Sequence, residues 1–545
     1  MKRRAVASFA ALLFCTACGI PDRNPSREAD GPVPGRLVVL LVVDQLPQYL
    51  LERYDTLFSG GFRRLLDDGR VYARALHEHA RTTTAPGHAS IATGMFPFRH
   101  GVPDNGWREP DGDRWVPVDN YADRDELVVG LSTGDGFSPR KLRASALADW
   151  LRDADPEARV FAASGKVRGA VPLAGHVRGH VYVLSYEHGP AFVTSTYYRR
   201  RLPSWVSRFN EGRLAELLAD SVWESGVPAR VAAASRPDST SYERGGRHFT
   251  FPHAFAEEKA AWEDRAHGFL HWFWRTPMLD VATLDLAAEA VRELELGQRG
   301  RLDLLALGLS ATDPIGHAYG PHSREQLANL LELDRGLGEL FAFLDATVGR
   351  DGYVVALSAD HGVMEAPEHR VELGQVGVRI SPEEVRAALR AAEALQAPPG
   401  PELEARRAAL LEGYGFVSDA MTREELLAVD PEGAPGAGAD SFTVLYRRSL
   451  LPDRVISPGQ LGILVRLREG YMVDEATATH GSPYLYDRHV PLILMGPGVE
   501  PGWTEERVAT VDLVPTLAEL LGIPFPADLD GRPLVGAPGP RARDD

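Results

Sequence analysis

Three short runs of apolar residues, each followed closely by an aspartate, constrain the fold of this chain more than any other feature. The runs contain no charged residue, and the first and third are rich in valine. Continuous apolar runs of this length predict strands that are buried on both faces. The runs and their acidic residues are Leu37–Val43 with Asp44, Leu304–Leu309 with Asp313, and Tyr353–Ser358 with Asp360.

Helical patterns separate these predicted strands. Examples are Arg324–Leu344 and Leu513–Leu521, and weaker strand candidates are Val160–Ala163 and Pro491–Met495. Strands that alternate with helices predict an α/β fold with a mostly parallel central sheet flanked by helices. Ligands of such sheets bind beyond the carboxyl ends of the strands, where the three aspartates are expected. An acidic residue there can also be no more than a helix cap.

The segment from Arg81 to His88 places three threonines before Ala85 and Pro86. Proline is tolerated in the first turn of a helix, so Ala89–Thr93 is predicted to continue a helix whose amino terminus is Thr84. Free N–H groups and the partial positive charge of such a terminus attract anions and favour a hydroxyl nucleophile. An ordinary threonine-rich helix cap is the alternative interpretation of the same residues.

The amino-terminal residues have the pattern of an export signal. Lys2, Arg3 and Arg4 precede the apolar run Ala5–Phe14, which is too short to span a membrane. Thr16-Ala17-Cys18 resembles a lipobox, in which the cysteine is lipidated, although Cys15 stands where a leucine is usual. Simple cleavage nearby and an uncleaved signal are the alternatives. The chain is therefore expected to be exported and periplasmic, with Cys18 as a point of attachment to the outer membrane.

Both cysteines of the chain lie in this segment, so a metal ion in the mature protein must be held by histidine and carboxylate. Candidate ligands follow the predicted strands. Asp313 and His317 are four residues apart, Asp360 and His361 are adjacent, and His480 lies between small residues. With Asp44 they supply three carboxylates and three imidazoles, which suffice for two zinc-like ions.

The 545 residues carry a formal charge of −17, which argues against nucleic acid as a partner but leaves phosphate substrates open. The aromatic-rich stretch Tyr182–Phe273 is predicted to be an insertion near the cleft. Glu365–Ala478, with helical stretches Pro382–Leu395 and Glu402–Leu411, is predicted to be a second insertion or cap. The expected organisation is a signal peptide at 1–18, a Pro-rich tether at 19–35, and a catalytic domain at 36–535 with insertions at about 182–280 and 365–478.

The order of these residues along the chain resembles the alkaline phosphatase superfamily, and especially the bacterial phosphate-irrepressible alkaline phosphatases with a threonine nucleophile. The matching stretches include Val42-Val43-Asp44-Gln45, Thr84-Ala-Pro-Gly-His88, Leu357-Ser-Ala-Asp-His361 and Thr479-His-Gly481. The resemblance implies an alkaline-phosphatase-like sandwich with a cap and a pair of zinc ions that Thr84 faces. The implied ligands are Asp313, His317 and His480 for one ion, and Asp44, Asp360 and His361 for the other.

Residues outside the implied metal ligands must distinguish the reactions of this superfamily. Sulfatases have a Cys or Ser nucleophile followed by Pro and Arg, whereas this chain has Thr84, Pro86 and His88. Lys166-Val167-Arg168 is similar to the Lys-x-Arg pair that holds the extra oxygen of a phosphate monoester, with Val167 where that family usually has Asp. Asn105 resembles the asparagine that donates to a phosphoryl oxygen, and the Ala85 N–H is expected to bind another.

The sequence therefore predicts a phosphomonoesterase that acts on small phosphate esters through a phospho-threonine intermediate. Lys166 supports this interpretation because the chain has only four lysines and otherwise uses arginine. A nucleotide pyrophosphatase/phosphodiesterase with an aromatic pocket is the first alternative, favoured by the aromatic residues between Tyr182 and Trp274. A metal-binding lipoprotein without catalysis is the second. The oligomeric state and the natural substrate are left open.

Overall fold

The computed structural model describes residues 36–534 apart from 113, 132–133, 185–190, 220–221, 247–248, 257–270, 394, 396–399, 434–438, 456–462 and 474–475. The predicted signal peptide, the tether and Cys18 lie outside the described residues. No helix in the described part of the chain is long and apolar enough to cross a bilayer.

The described strands and helices alternate along most of the chain. The strands are β1 (Leu37–Val43), β2 (Arg70–Leu76), β3 (Gly106–Asp111), β4 (Arg114–Asp119), β5 (Ala122–Val129), β6 (Asp135–Phe137), β7 (Val160–Ser164), β8 (His180–Leu184), β9 (Phe192–Ser195), β10 (Val222–Trp223), β11 (His253–Ala254), β12 (Asp303–Leu309), β13 (Tyr353–Ala359), β14 (Val378–Arg379), β15 (Val417–Thr422), β16 (Ile463–Leu467), β17 (Tyr471–Met472), β18 (His489–Val490), β19 (Leu492–Met495) and β20 (Gly502–Ala509).

The helices are α1 (Gln48–Tyr54), α2 (Gly61–Asp68), α3 (Thr84–Thr93), α4 (Pro97–His100), α5 (Leu147–Ala154), α6 (Val167–Ala174), α7 (Ser204–Phe209), α8 (Ala215–Ala219), α9 (Met278–Glu293), α10 (Thr312–Tyr319), α11 (Arg324–Thr347), α12 (Pro367–Glu372), α13 (Pro382–Glu393), α14 (Pro401–Gly413), α15 (Arg423–Leu427), α16 (Ala439–Arg448), α17 (Leu485–Arg488) and α18 (Leu513–Leu521).

Twelve described strands form one sheet, in the order β18-β2-β19-β13-β1-β12-β7-β8-β9-β5-β6, and β20 pairs with β2. The five central strands β13, β1, β12, β7 and β8 run parallel, whereas β19 is antiparallel to β13. Val43 at the end of β1 is in register with Leu309 of β12 and Ala359 of β13. The carboxyl ends of the three strands that precede the candidate ligands therefore meet at one edge of the sheet, as the sequence predicts.

Helices cover both faces of the sheet, because alternate residues of β1 point into two different hydrophobic cores. Leu37, Val39 and Leu41 pack in the first core, which includes residues of α2, α9 and α11. Val38 and Leu40 pack in the second, which includes residues of α3, α5, α6 and α18. A strand buried on both faces has no room for alternating polar residues, which explains the continuous apolar run.

The predicted boundary of the first insertion is wrong. Tyr182 lies in β8, which pairs with β7, and Phe192 lies in β9, which pairs with β8. Both side chains are buried in the first hydrophobic core, together with Trp205. The aromatic residues therefore indicated core packing rather than an added module, because large rings fill space between a sheet and its covering helices.

The range predicted as the second insertion contains two small sheets, β14 with β17 and β15 with β16. Helices α13 and α14 and strands β15 and β16 share a small hydrophobic core of their own, which includes Leu403 and Leu410. The helices begin at Pro382 and Pro401, close to the predicted helical stretches. The assignment of this range as a cap stays a prediction.

Candidate active site

The candidate carboxylates come together at the carboxyl edge of the central strands. Asp44 follows β1, Asp360 follows β13, and Asp313 lies in the first turn of α10, which follows β12. All three are buried, with at most 6% of the residue surface exposed. Three buried carboxylates close together are unfavourable unless cations or hydrogen-bond donors compensate them. The groups that do so define the site.

Lys166 supplies a buried cation between two of these carboxylates. It follows β7, and its Nζ lies 2.5 Å from Asp44 Oδ2 and 2.5 Å from Asp313 Oδ2. Most lysines lie on the protein surface, but Lys166 is only 4% exposed. The structure thus brings Lys166 to the predicted metal ligands, where its ammonium contacts carboxylates.

The three candidate imidazoles surround the same carboxylates. His317 Nε2 lies 3.1 Å and His480 Nε2 lies 3.4 Å from Asp313 Oδ1. His361 Nε2 lies 3.5 Å from Asp44 Oδ1 and 3.6 Å from Asp360 Oδ2. The rings of His361 and His480 are stacked with centroids 3.6 Å apart. All six predicted ligands therefore lie in one cluster.

Backbone carbonyls fix the orientation of the three rings. The Nδ1 atoms of His317, His361 and His480 lie 2.8, 3.0 and 2.7 Å from the carbonyl oxygens of Ala478, Gly362 and Thr82. A carbonyl at Nδ1 requires that this nitrogen carries the proton, which leaves Nε2 with a free lone pair. A carbonyl contact at one ring nitrogen is typical of histidines whose other nitrogen binds a metal ion.

The donor set fits divalent metal ions. Asp44 Oδ1, Asp360 Oδ2 and His361 Nε2 are buried and have no hydrogen-bond partner among the described residues. Ligand atoms within 4.8 Å of one another form two groups, Asp44 with Asp360 and His361, and Asp313 with His361 and His480. The first group is one of the two implied ligand sets. The second group contains His361, whereas the implied set has His317 in its place. His317 and His480 both lie close to Asp313 Oδ1.

The protonation of these groups follows from burial and close charges. Burial raises the pKa of Asp44 well above its ordinary value, and the neighbouring Asp360 raises it further while Lys166 lowers it. Burial also opposes ionisation of Asp313, but Lys166 and His317 hold its pKa well below the ordinary value. Burial lowers the pKa of His361 to about 3, so this imidazole is neutral at pH 7 and able to ligate a metal.

Gln45 contacts two of the candidate ligands, although the sequence did not single it out. Its Nε2 donates to Asp313 Oδ1 at 2.7 Å and its backbone N–H donates to Asp360 Oδ1 at 3.0 Å. It reaches both because its backbone is in the left-handed region, with φ of 62°. One residue therefore orients a carboxylate of each implied metal set. No sequence pattern reports a positive φ at a glutamine.

Helix α3 places Thr84 at its first residue, as predicted, and buries it to 1% exposure. Residues on either side of Thr84 contact members of both implied metal-ligand sets. Before it, the Thr82 carbonyl contacts His480, and after it, His88 Nδ1 lies 3.0 Å from Asp360 Oδ2. A Cβ at Gly87 would lie 2.2 Å from the Asp360 carbonyl oxygen, so the helix packs directly on the end of β13.

Asn105 lies beside the start of α3, as the resemblance implies, but its partner is within the protein. Its Oδ1 accepts a hydrogen bond of 2.9 Å from the Ala85 N–H. The Ala85 amide that was expected to bind a phosphoryl oxygen is therefore engaged by Asn105 in this structure. Asp104 connects Thr83 to Asn105. Its Oδ1 accepts hydrogen bonds from Thr83 Oγ1 at 2.7 Å and from the Asn105 N–H at 2.8 Å.

Arg168 lies two residues after Lys166 in the first turn of α6 and is half-buried. Its Nε has no hydrogen-bond partner among the described residues. Burial acts to lower the pKa of Lys166, and the positive charge of Arg168 acts in the same direction, but Asp313 and Asp44 keep that pKa raised overall. The guanidinium therefore adds a second cation close to the site.

A cavity of about 420 Å³ adjoins the cluster on the side of His480. Its walls include Arg81, Tyr446, Tyr484 and Met472. Tyr446 and Met472 belong to the range predicted as the cap. The cavity offers aromatic and cationic surface next to a predicted metal ligand.

Comparisons with known proteins agree with this geometry. Residues 38–377 match the family described as type I phosphodiesterase / nucleotide pyrophosphatase. The chain is 31% identical over 538 residues to alkaline phosphatase PhoK of Sphingomonas sp., over 92% of this chain and 90% of that protein. It is 29% identical over 560 residues to alkaline phosphatase PhoV of Synechococcus elongatus, over 98% of this chain and 99% of that protein.

The crystal structure of wild-type alkaline phosphatase PafA has the same fold, with a TM-score of 0.80 and 26% identity over 94% of this chain and 100% of that chain. A second PafA structure is of a variant in which one threonine, one asparagine, one lysine and one arginine are substituted. The chain therefore belongs to the alkaline phosphatase superfamily, within the family of type I phosphodiesterases and nucleotide pyrophosphatases. It is an enzyme of the alkaline phosphatase type, and the predicted superfamily and fold are confirmed.

Proposed function

We propose that this enzyme hydrolyses phosphate monoesters through a phospho-threonine intermediate at Thr84. The Thr84 hydroxyl oxygen forms a bond to phosphorus as the bond from phosphorus to the alcohol oxygen breaks. Water then attacks phospho-Thr84, releases inorganic phosphate and restores the hydroxyl. The amino terminus of α3 favours this chemistry because the partial positive charge of the helix stabilises negative oxygens there.

We infer that the donor set holds two Zn²⁺ ions. One set of ligands is Asp313, His317 and His480, and the other is Asp44, Asp360 and His361. Bound zinc would supply Lewis-acid stabilisation of negative oxygens and lower the pKa of a hydroxyl or water. The buried atoms without hydrogen-bond partners at Asp44, Asp360 and His361 support this assignment.

The observation that carries the choice of substrate is the position of Lys166. A phosphate monoester dianion bears one more negative oxygen than a diester, and a buried ammonium in the site is suited to that oxygen. Lys166 lies 2.5 Å from two of the catalytic carboxylates, and Arg168 adds a second cation. We infer that both bind the phosphoryl group and that Lys166 exchanges a carboxylate contact for it. Positioning and electrostatic stabilisation dominate such reactions.

Asn105 completes the proposed phosphoryl site. Its Oδ1 is satisfied by the Ala85 N–H, so its Nδ2 group is the one that would donate to a substrate oxygen. Arg81 pairs with Asp104, which in turn holds Thr83 and Asn105. Thr84, Asn105, Lys166 and Arg168 are of the same four residue types as those substituted in the PafA variant.

A nucleotide pyrophosphatase/phosphodiesterase is the second candidate, because the description of the matched family includes that activity. Aromatic residues between Tyr182 and Trp274 favoured the diesterase in the sequence, but three of them do not form a pocket. Tyr182, Phe192 and Trp205 are buried in the hydrophobic core. The cavity beside His480 offers Tyr446 and Tyr484 instead, and these could contact the organic part of either a monoester or a diester.

Removal of the metal tests the proposal. Dialysis against a chelator is expected to lower kcat/KM for an aryl phosphate monoester by about 10³-fold, which corresponds to about 4 kcal/mol of transition-state stabilisation. Addition of Zn²⁺ should restore it. Circular dichroism before and after dialysis controls for unfolding. Unchanged activity in a preparation shown by elemental analysis to be free of metal would contradict the two-ion site.

We further propose that the enzyme is exported to the periplasm and that Cys18 carries a lipid that attaches it to the outer membrane. The basic residues before the apolar run Ala5–Phe14 support export. The mass of the amino-terminal peptide of the protein purified from its own cells checks both parts. A peptide that starts at lipid-modified Cys18 is expected. A peptide that starts at Met1 would contradict cleavage and lipidation, and recovery of the protein in the cytoplasmic fraction would contradict export.

A further inference from the structure

A second cluster of potential metal ligands lies outside the catalytic residues. It consists of His322, Glu365 and His369, each of which offers one ligand atom within 4.8 Å of the others. His322 lies between α10 and α11, Glu365 follows β13, and His369 lies in α12. The cluster therefore joins two parts of the chain that are distant in sequence, and each follows an element next to predicted catalytic metal ligands.

The ligand atoms lie close together. His322 Nδ1 approaches Glu365 Oε2 to 2.5 Å. Both atoms are nevertheless buried without a hydrogen-bond partner among the described residues. The rings of His322 and His369 are 5.6 Å apart. Buried polar atoms are almost always paired, so a buried imidazole nitrogen and a buried carboxylate oxygen that lack hydrogen-bond geometry support a cation site here.

The other polar contacts leave one atom of Glu365 and one atom of His369 for a further partner. Arg236 Nη1 and the Ala366 N–H donate to Glu365 Oε1, which leaves Oε2 for another partner. Glu372 lies 3.0 Å from His369 Nδ1, which leaves Nε2 as the free nitrogen of that ring. A carboxylate at the distal nitrogen is the usual companion of a histidine that ligates zinc.

The charges around the cluster favour a divalent cation. Within the cluster, Glu365 contacts His322. Glu372 contacts His369, and the Arg236 guanidinium contacts Glu365. Arg236 also pairs with the buried Glu243 at 2.7 Å, so its positive charge is shared between two carboxylates. Two imidazoles and a carboxylate then form a His₂Glu set, which suits Zn²⁺.

An ion can reach this position from solvent. A cavity of about 490 Å³ is bordered by both histidines of the cluster. Its other walls carry hydroxyl groups, from Ser239, Thr240 and Tyr242 among others. Water in such a cavity could complete the coordination of an ion that has only three protein ligands.

We propose that His322, Glu365 and His369 form a further binding site for Zn²⁺, separate from the catalytic metal ligands. His322 follows α10, the helix that contains Asp313 and His317. The bound ion would connect it to the segment after β13, which contains Asp360 and His361. Its role is to hold these two segments in register. The ion is a structural element and takes no part in the reaction.

The test is the zinc content and zinc position of the full-length enzyme equilibrated with Zn²⁺. Elemental analysis should show one zinc ion per chain fewer in the double variant His322→Ala with His369→Ala than in the wild type. His176→Ala is the matched control, because His176 pairs with Asp149 away from the cluster, and it should retain the wild-type content. Equal zinc content in the wild type and the double variant would overturn the proposal.

A milder variant and a crystallographic measurement distinguish loss of the ion from loss of folding. Glu372→Gln should weaken zinc binding at this position about 10- to 100-fold while leaving the three ligands in place. Anomalous difference maps of wild-type crystals grown with Zn²⁺ should show a peak between His322, Glu365 and His369. A wild-type map without that peak, in crystals whose catalytic ligands bind zinc, would overturn the proposal even if the enzyme is fully active.

Discussion

Replacement of Thr84 with alanine is expected to lower kcat/KM for an aryl phosphate monoester by about 10⁴-fold or more, since removal of a nucleophile commonly costs that much. No phosphoenzyme should form. Incubation with ³²P-labelled substrate, acid quench and peptide mapping measure this directly. The wild type should give one labelled peptide that contains Thr84, and the variant should give none.

Two further variants make this result specific. Thr84→Ser keeps a hydroxyl at the amino terminus of α3 and should still be labelled. Thr83→Ala removes a neighbouring hydroxyl that donates to Asp104, so it should cost about 1 kcal/mol and leave labelling intact. A labelled peptide recovered from Thr84→Ala would refute the assignment of the nucleophile.

Replacement of Lys166 with alanine is expected to reduce turnover of a monoester about 10²- to 10³-fold more than turnover of the matching diester. This difference corresponds to about 3 to 4 kcal/mol, a typical value for a charged donor that stabilises the transition state. The diester is an internal control, because Lys166 also contacts Asp44 and Asp313 and its loss will disturb the site for both substrates. Arg168→Ala should shift the ratio in the same direction.

Lys141 provides the matched control. Its Nζ pairs with Glu109 at 2.8 Å, and the side chain is about one-third exposed. Lys141→Ala should leave the ratio of monoester to diester turnover unchanged. Equal losses of the two activities in Lys166→Ala would mean that this lysine serves only to neutralise the carboxylates.

The parts of the fold that could be predicted from sequence are those set by local patterns. Strand β1 spans Leu37–Val43 as predicted, because burial on both faces leaves a continuous apolar run. Helix α3 begins at Thr84 as predicted, because Pro86 fits only the first turn. The meeting of Asp44 and Asp360 followed from parallel strands with aligned ends.

The remaining features depend on contacts between distant parts of the chain. Lys166 pairs with Asp44 and Asp313, which are 122 and 147 residues away in sequence, and no local pattern specifies that pairing. Gln45 bridges two carboxylates through an unusual backbone angle. The aromatic residues near Tyr182 were misread because composition reveals that rings are present but not what they pack against.

The most direct test of the proposed function is the ratio of kcat/KM for an aryl phosphate monoester to kcat/KM for the matching diester. It is measured on zinc-loaded wild-type enzyme, with one leaving group for both substrates so that only the charge and size of the phosphoryl group differ. A ratio far above one is expected, because Lys166 and Arg168 are proposed to bind the extra negative oxygen of the dianion. A ratio below one would contradict the account and identify the enzyme as a diesterase.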